Sequence, residues 1–316
     1  MTTLYKNVSN VLISRFGDRE ESVRHEIWAT YALLITQTGV YGGAPQSKQG
    51  ESGKRKRDEG MEVEDNPYTL LKSQVPYLAK ALLKQLSSKA SPATLQAGFS
   101  LLHSLLRVLP GSLSSFSGQI ITAASSVLGS NTGSSSASAN LHGSVLSFLT
   151  LFFSTHEAST FSSSLPTLTP KLLSAISQKH PRIASEAFRA FSALLSSLKP
   201  VSSADWVDQL YEEAVKRLIG SDTDAEVRQC AEDTLAELWL SATDMVKGKG
   251  GREWDALMKT ARTEGAVRVV TRVAGNVSMD GQWVGVAVHW AISLLGKAGR
   301  SGKAESFNCL EVLLRR

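Results

Sequence analysis

The chain has 316 residues, 42% of them hydrophobic and 20% charged, enough apolar material for a sizeable buried core and too much for an intrinsically disordered protein. The net charge of +5 is unevenly spread: from Val246 onward there are 12 Lys and Arg against 6 Asp and Glu, which leaves 22 against 23 in the remainder. These basic residues are scattered and not interleaved with aromatic stacking positions, so they read as solvated helix faces and argue against nucleic acid as a partner.

The opening stretch "MTTLYKNVSNVLISRF" carries Lys6 and Asn7 where a secretory signal would be uniformly apolar, and the longest apolar run, "VLSFLTLFF" from Val145, is too short to cross a bilayer. A soluble intracellular protein is expected. In that compartment the Asn-x-Ser sequons at Asn7 and Asn276 carry no meaning, and Cys230 and Cys309 read as reduced core residues. A first helix is predicted over Leu4–Phe16. The second begins near Glu20 and places Val23, Ile27, Tyr31, Leu34 and Ile35 on one face. Residues 41–66 contain Gly, Gln, Lys and Glu with almost no large apolar side chain, so a disordered charged insert is expected there. A helix over Tyr68–Leu86 then precedes one with the stripe Leu95, Phe99, Leu102, Leu105, Leu106 and Leu109. Another helix is read at Leu113–Leu128, followed by a Ser-rich loop at about 129–139. Thr160–Ser177 precedes a helix that starts at Pro181 and carries Ile183, Ala187, Phe191, Leu194 and Leu198 on one side; Pro is tolerated in a first helical turn. Ala204–Ile219 precedes the helix of Val227, Ala231, Leu235 and Leu238. Helices over Glu253–Thr263 and Trp283–Leu295 close the series.

Helix pairs recurring at roughly 45 residues, with no strand-like alternation, specify an all-α chain of the HEAT/armadillo type. The expected architecture is a right-handed α-solenoid of about six to seven helix pairs. Residues 1–40 form its first pair, 41–66 the insert, and 67–316 the continuing repeats.

Two stretches about two hundred residues apart read almost alike, "GDREESVRHEIWATYALL" from Gly17 and "SDTDAEVRQCAEDTLAEL" from Ser221. Asp18 and Asp222 fall at the turn inside a repeat, where a carboxylate accepts from free N–H groups at the start of the second helix. Val23 and Val227 are expected to enter the core one turn later. Arg24 and Arg228 are expected to reach the Asp of an adjacent repeat and form a ladder. Exposed residues of second helices and their turns are the expected partner-facing positions: Arg19, Arg24, His180, Arg182 and Arg228.

No catalytic constellation emerges. The tail "GKAGRSGKAES" fails as a phosphate loop, because Gly296 to Gly302 is one residue too long and Ala304 replaces the metal-binding hydroxyl; it reads as a polar turn between helices. His25, His103, His142, His156, His180 and His289 show no ligand spacing, and no serine occupies a nucleophile elbow. No enzyme activity, cofactor or metal is expected. Lys54, Arg55, Lys56 and Arg57 form a compact cationic patch of the nuclear-import type, followed by the acidic Asp58, Glu59, Glu62, Glu64 and Asp65 that can neutralise it.

The strings Leu12-Ile-Ser-Arg-Phe16, Ser73-Gln-Val-Pro76, Lys80-Ala-Leu82 with Lys84-Gln85, Val108-Leu-Pro-Gly111, Ser185-Glu-Ala187 and Lys216-Arg-Leu218 with Glu226-Val227 carry a more specific signal. In order and spacing they resemble the central repeats of the cullin-associated neddylation-dissociated protein family, most closely in the first third and least in the inserts and after Val246. The resemblance implies a non-catalytic HEAT scaffold that binds an unneddylated cullin with its RING subunit and promotes substrate-receptor exchange, located in nucleus and cytoplasm. It also implies a middle portion, working with the first and last repeats of the family as a fragment or as one piece of a divided protein. An importin-like scaffold is the alternative; it predicts acidic inner-face residues and Trp-Asn ladders, which this sequence does not display.

Overall fold

The computed structural model describes residues 2–41, 66–87, 89–130, 136–201, 205–221, 223–242, 264–276, 281–296 and 299–315. Among them there is no strand, and thirteen α-helices follow one another: α1 (Thr2–Ser14), α2 (Glu21–Tyr41), α3 (Pro67–Leu83), α4 (Pro92–Val108), α5 (Ser117–Gly129), α6 (Ser136–Thr155), α7 (Leu165–Ile176), α8 (Pro181–Leu198), α9 (Trp206–Ile219), α10 (Ala225–Ser241), α11 (Glu264–Asn276), α12 (Gly281–Leu295) and α13 (Arg300–Leu314). Several starts are written in the sequence. Asn66 caps α3 by accepting from the Thr69 N–H at 2.9 Å, and the Thr69 hydroxyl accepts from the Asn66 N–H at 3.1 Å, a reciprocal box. Ser91 accepts from the Thr94 N–H at 3.1 Å to cap α4. Pro67, Pro92 and Pro181 take first-turn positions, where the missing N–H is no loss.

The chain divides into two compact units, Met1–Val127 with Ser135–His156, and Leu128–Ser134 with Glu157–Arg316. In the first, α2 packs on α4 and α4 on α6, while α1 meets α3 over a smaller area. Its core is aromatic: Phe16 sits edge-on to Tyr31 at 5.3 Å, and Phe99 lies 5.5 Å from Phe148, all fully buried. The α1–α3 contact is polar. The Ser9 hydroxyl donates to Gln74 Oε1 at 2.5 Å and lies 3.0 Å from the Tyr31 hydroxyl, while Gln74 Nε2 donates to Asn10 Oδ1 at 2.9 Å. In the second unit α8, α10, α11 and α13 pack in succession, and Phe188, Phe191, Leu210, Leu235 and Val270 are fully buried between elements. In both units each second helix therefore lies against the second helices of its neighbours, the arrangement of an α-solenoid.

The structure departs from several sequence expectations. Val23 is 41% exposed, whereas its counterpart Val227 is 2% exposed; the core of α2 is made instead by Trp28, Tyr31 and Ile35. Asp222 lies outside the described residues, and the cap of α10 is Asp224, which accepts from the Glu226 N–H at 2.9 Å. The charged insert is shorter than expected at both ends, since Tyr41 belongs to α2 and Asn66 caps α3; its residues 42–65 lie outside the described ones. Residues 136–139 of the expected Ser-rich loop are the first turn of α6, because the alternating Ser and Ala resist helix only weakly and the apolar run behind them propagates it. The helix expected over 253–263 lies outside the described residues. The tail read as a turn is largely helix: α13 begins at Arg300 and buries Gly302, Ser306, Cys309 and Leu313 in one stripe. Among the described residues no helix is long and apolar enough to cross a membrane.

Candidate functional site

Because the second helices stack side by side, their uncovered faces form one continuous surface within each unit, edged by the turns that lead into them. Asp18, in the α1–α2 turn, accepts from Arg15 Nε at 2.9 Å and from Arg15 Nη2 at 2.6 Å through one oxygen, and from the Glu20 N–H at 3.2 Å through the other. The Arg15 hydrogen bonds, followed by the Glu20 N–H, hold its carboxyl below the usual range. Arg24 does not reach an Asp of another repeat. Its Nη1 donates 2.9 Å back to the carbonyl oxygen of Asp18, its Nη2 donates 3.2 Å forward to the Thr94 hydroxyl, and its guanidinium lies 5.9 Å from the Trp28 ring centroid. Arg228 behaves alike, donating through Nη2 to the carbonyls of Gly220 at 3.0 Å and Thr223 at 3.2 Å. The repeated Val-Arg therefore supplies a clasp on the carbonyls of its own turn, in place of the expected ladder.

A ladder does exist, built by residues the sequence reading passed over. In the second unit Arg189 on α8 donates to Glu186 at 2.7 Å and to Glu226 on α10 at 2.6 Å. Arg268 on α11 grips Glu232 on α10 with two bonds, Nε to Oε2 at 3.0 Å and Nη2 to Oε1 at 2.8 Å, and lies 3.6 Å from Glu305 on α13. Arg272, one turn on, pairs with Asp233 at 3.2 Å and Glu237 at 3.5 Å. Glu232 is only 4% exposed, and burial outweighs Arg268 in pushing its carboxyl above the usual range. In the first unit the matching contact is hydroxylic. Glu21 on α2 accepts from the Ser91 hydroxyl and, at 2.8 Å, from the Thr94 hydroxyl, which hold it below the usual range; His25 Nε2 lies 3.0 Å from the same Thr94 hydroxyl. Like charges at i, i+4 spacing, Arg268 with Arg272 and Asp233 with Glu237, were the available signal, but nothing local identified them as partners about one repeat apart.

One exposed strip of α2 differs from the rest. Ala29, Leu33, Thr36 and Val40, at i, i+4, i+7 and i+11, are all exposed, Leu33 by 65% and Val40 by 66%. Apolar side chains standing open in this way mark a contact surface. Of the expected partner-facing residues, Arg19, His180 and Arg182 are exposed on turns or first helical turns, while Arg24 and Arg228 are half-buried in their clasps. Asp18 and Arg24 are brought together. Lys54, Arg55, Lys56 and Arg57 lie outside the described residues. Among the described residues no group of three or more His, Cys, Asp or Glu is arranged to hold a metal ion.

A family profile described as CAND1-like, TPR repeats, matches residues 70–234, more than half of the 316. The chain belongs to the CAND1-like family. Among its relatives, cullin-associated NEDD8-dissociated protein 1 of Arabidopsis thaliana is 27% identical over 237 residues, covering 73% of this chain and 18% of that protein. The Dictyostelium discoideum protein of the same name is 29% identical over 243 residues, covering 75% of this chain and 18% of that protein. A protein of Emericella nidulans named as the C-terminal part of cullin-associated NEDD8-dissociated protein 1 is 24% identical over 321 residues, 86% of this chain and 30% of that one. This CAND1-like chain thus spans less than a third of the length of these relatives. Its fold is shared with Kap95p as seen bound to RanGDP, at a TM-score of 0.61 and 11% identity over 96% of this chain and 42% of that one. A designed armadillo repeat protein matches at 0.50 and 10% identity, covering 96% and 98%. Likeness at such low identity establishes the armadillo/HEAT fold and nothing of what is bound. Family and fold alike are those of repeat scaffolds.

Proposed function

We propose that this CAND1-like chain is a non-catalytic scaffold segment of a cullin-RING ligase assembly factor, which binds an unneddylated cullin and promotes exchange of substrate receptors. The observation that carries this reading is the family match over residues 70–234, laid on second helices that stack side by side within each unit. A solenoid grips an elongated partner by many weak contacts spread along such a stack. The cullin and its RING subunit are the proposed partners, and the remaining repeats of the family act with this segment. Within the strip Ala29, Leu33, Thr36 and Val40, the large apolar Leu33 and Val40 are where contact energy concentrates, since exposed apolar side chains gain most when covered. Single rim charges contribute little, so reversing Arg19 or Arg182 weakens binding by about 1 kcal/mol or less.

Immobilised cullin–RING, unneddylated and neddylated in parallel, tests the reading when the chain is offered together with the family's remaining repeats. Retention on the unneddylated form alone is expected. Equal retention on both, or on neither, sinks it. Location in nucleus and cytoplasm goes with the same proposal, through Lys54, Arg55, Lys56 and Arg57 as an import signal. Replacing the four by Ala is expected to drain a fluorescent fusion from the nucleus, and an unchanged distribution removes the signal from the account while leaving the scaffold untouched.

A further inference from the structure

In the second unit the first helices α7 and α9 meet over a smaller area than the second helices α8 and α10, and a cavity of about 740 Å³ opens beside them. Clefts that hold ligands commonly measure about 300–1,000 Å³. Its walls are mostly apolar, with Leu165, Pro166, Pro170 and Leu173 from α7, Val201 from the turn after α8, and Trp206 from α9. Phe191 of α8 packs on the Trp206 ring with centroids 5.6 Å apart and fixes its position, while Trp206 itself remains half-buried.

The polar groups of this wall are mostly acceptors. The Thr169 hydroxyl donates to the Leu165 carbonyl at 3.0 Å and the Ser162 hydroxyl to the Ala158 carbonyl at 2.5 Å, so both protons are already engaged. Pro170 has no N–H for the carbonyl of Pro166 one turn back, which leaves that oxygen without its usual donor inside the helix. Asp205 stands at the N-cap position of α9, yet its carboxylate makes no capping bond there and lines the cavity. Asp208 and Glu212 follow it at i+3 and i+7, both exposed. Against these, only Gln209 and Trp206 bring side-chain N–H groups to the wall. The one charged residue of α7, Lys171, turns toward Gly129 of α5, its Nζ 3.2 Å from where a Cβ would stand, and Lys199 is not part of the wall.

An acceptor-rich cleft with carboxylates along one side suits a cation, and an indole face adds to its hold on one. The apolar remainder suits the side chains on either side of that cation. From Leu165 to Leu173 the wall runs about 12 Å along α7 at the helical rise, the reach of about three to four extended residues. We infer that the cleft between α7 and α9 is a docking site for an extended peptide segment of a partner, with an arginine or lysine set against Asp205 and Trp206 and apolar residues lying along Pro166 and Pro170. The inference goes beyond the cullin reading and does not rest on it.

The test offers the full chain to an array of eight-residue peptides with a central Arg flanked by Leu, Val or Pro, beside a matched array with a central Glu. Retention on members of the first array alone is expected. In solution a retained peptide is expected to shift the Trp206 signal in the fluorine NMR spectrum of 5-fluorotryptophan-labelled protein, assigned with Trp206→Phe, and to leave the Trp28 signal in place. Asp205→Lys changes an exposed residue that makes no capping bond and is expected to weaken binding about tenfold, because so short a ligand has few other contacts. Asp233→Lys on α10 is expected to bind as the parent does. No retained Arg peptide, equal retention on the Glu array, or retention that leaves Trp206 unmoved overturns the inference. So does binding that survives replacement of the flanking apolar residues by Ser, which is general attraction of charge, and so does an equal shift from free arginine amide, which would assign the cleft to a small cation.

Discussion

Trp28 in the first unit and Glu232 in the second occupy the same place in the repeated motif and do the same job with opposite chemistry. Each projects from one second helix toward the next, and each meets a glycine there. A Cβ on Gly98 of α4 would lie 3.6 Å from the Trp28 ring and 2.4 Å from Leu86 Cδ2; a Cβ on Gly265 of α11 would lie 2.2 Å from Glu232 Oε1 and 2.7 Å from Leu218 Cδ1. The aromatic version needs no charged partner, because the apolar ring area that Trp28 buries outweighs the cost of its Nε1–H, which is buried without a hydrogen bond. The carboxylate version is conditional: taking Glu232 out of water is costly, and the two-bond grip of Arg268 offsets part of that cost. Close approach between repeats thus depends on a small residue opposite a large one, and the large one can be a ring or an ion pair.

The comparison can be broken most forcefully at Trp28. Trp28→Ala is expected to lower the stability of the first unit by about 3–5 kcal/mol, the range for truncating a fully buried aromatic, measured by urea denaturation. Arg268→Ala strands a buried carboxylate and is expected to cost about 2–3 kcal/mol, at the low end for a broken buried pair because Arg268 itself is 38% exposed. Adding Glu232→Leu to it should recover most of the loss; if the double variant is no better than the single, Glu232 was not the source. The glycines sharpen the contrast further. Gly265→Ala is expected to cost about 2 kcal/mol and Gly98→Ala about 1 kcal/mol, since Leu86 can swing aside while Glu232 is held. Equal losses would show that the ion pair confers no rigidity.

Acid should act on the two sites with opposite sign. Asp18 and Glu21 are held below their ordinary values of 3.8 and 4.5, so their contribution is complete above those values and is lost as pH falls through the lowered ones. Glu232 is raised above 4.5, so the native state binds a proton before the unfolded chain does, and stability falls as pH rises from 4.5 through its raised value. Amide exchange on acidification is expected to speed at the starts of α2 and α4 without a matching change where α10 meets α11. Smallest of all is Arg189→Ala, expected to stay within about 0.5 kcal/mol because both partners of the Arg189–Glu226 bridge are largely solvated.

Most of this architecture is legible wherever large apolar residues recur at helical spacing, as in α4 and α8. It fades where packing relies on small residues. The buried stripe of α13 is Gly302, Ser306, Cys309 and Leu313, which no hydrophobic pattern reveals, so the segment read as a turn. Val23 misled for a different reason: the motif assigned it to the core by its likeness to Val227, but Val23 is 41% exposed and the core of α2 is built one turn further on. The ladder through Glu232, Arg268 and Glu305 escaped because its members lie about one repeat apart, and only the stacking of second helices brings them together. The clasps were half legible, Arg24 and Arg228 being singled out with the wrong acceptor.

Those clasps also bear on the order in which the chain takes shape. Arg24 bonds a carbonyl six residues back, and Arg228 carbonyls eight and five residues back, so the loop that must close is very short and its entropic cost small. The Thr234 to Phe188 contact spans 46 residues and waits for two pairs to meet. A hierarchy of this kind gives low contact order, with each helical hairpin able to form on a fast local timescale and growth then spreading from one hairpin to the next. Nucleation in such a chain needs no particular starting point, and removing a clasp should slow the local step at its own hairpin and leave the spreading step unchanged.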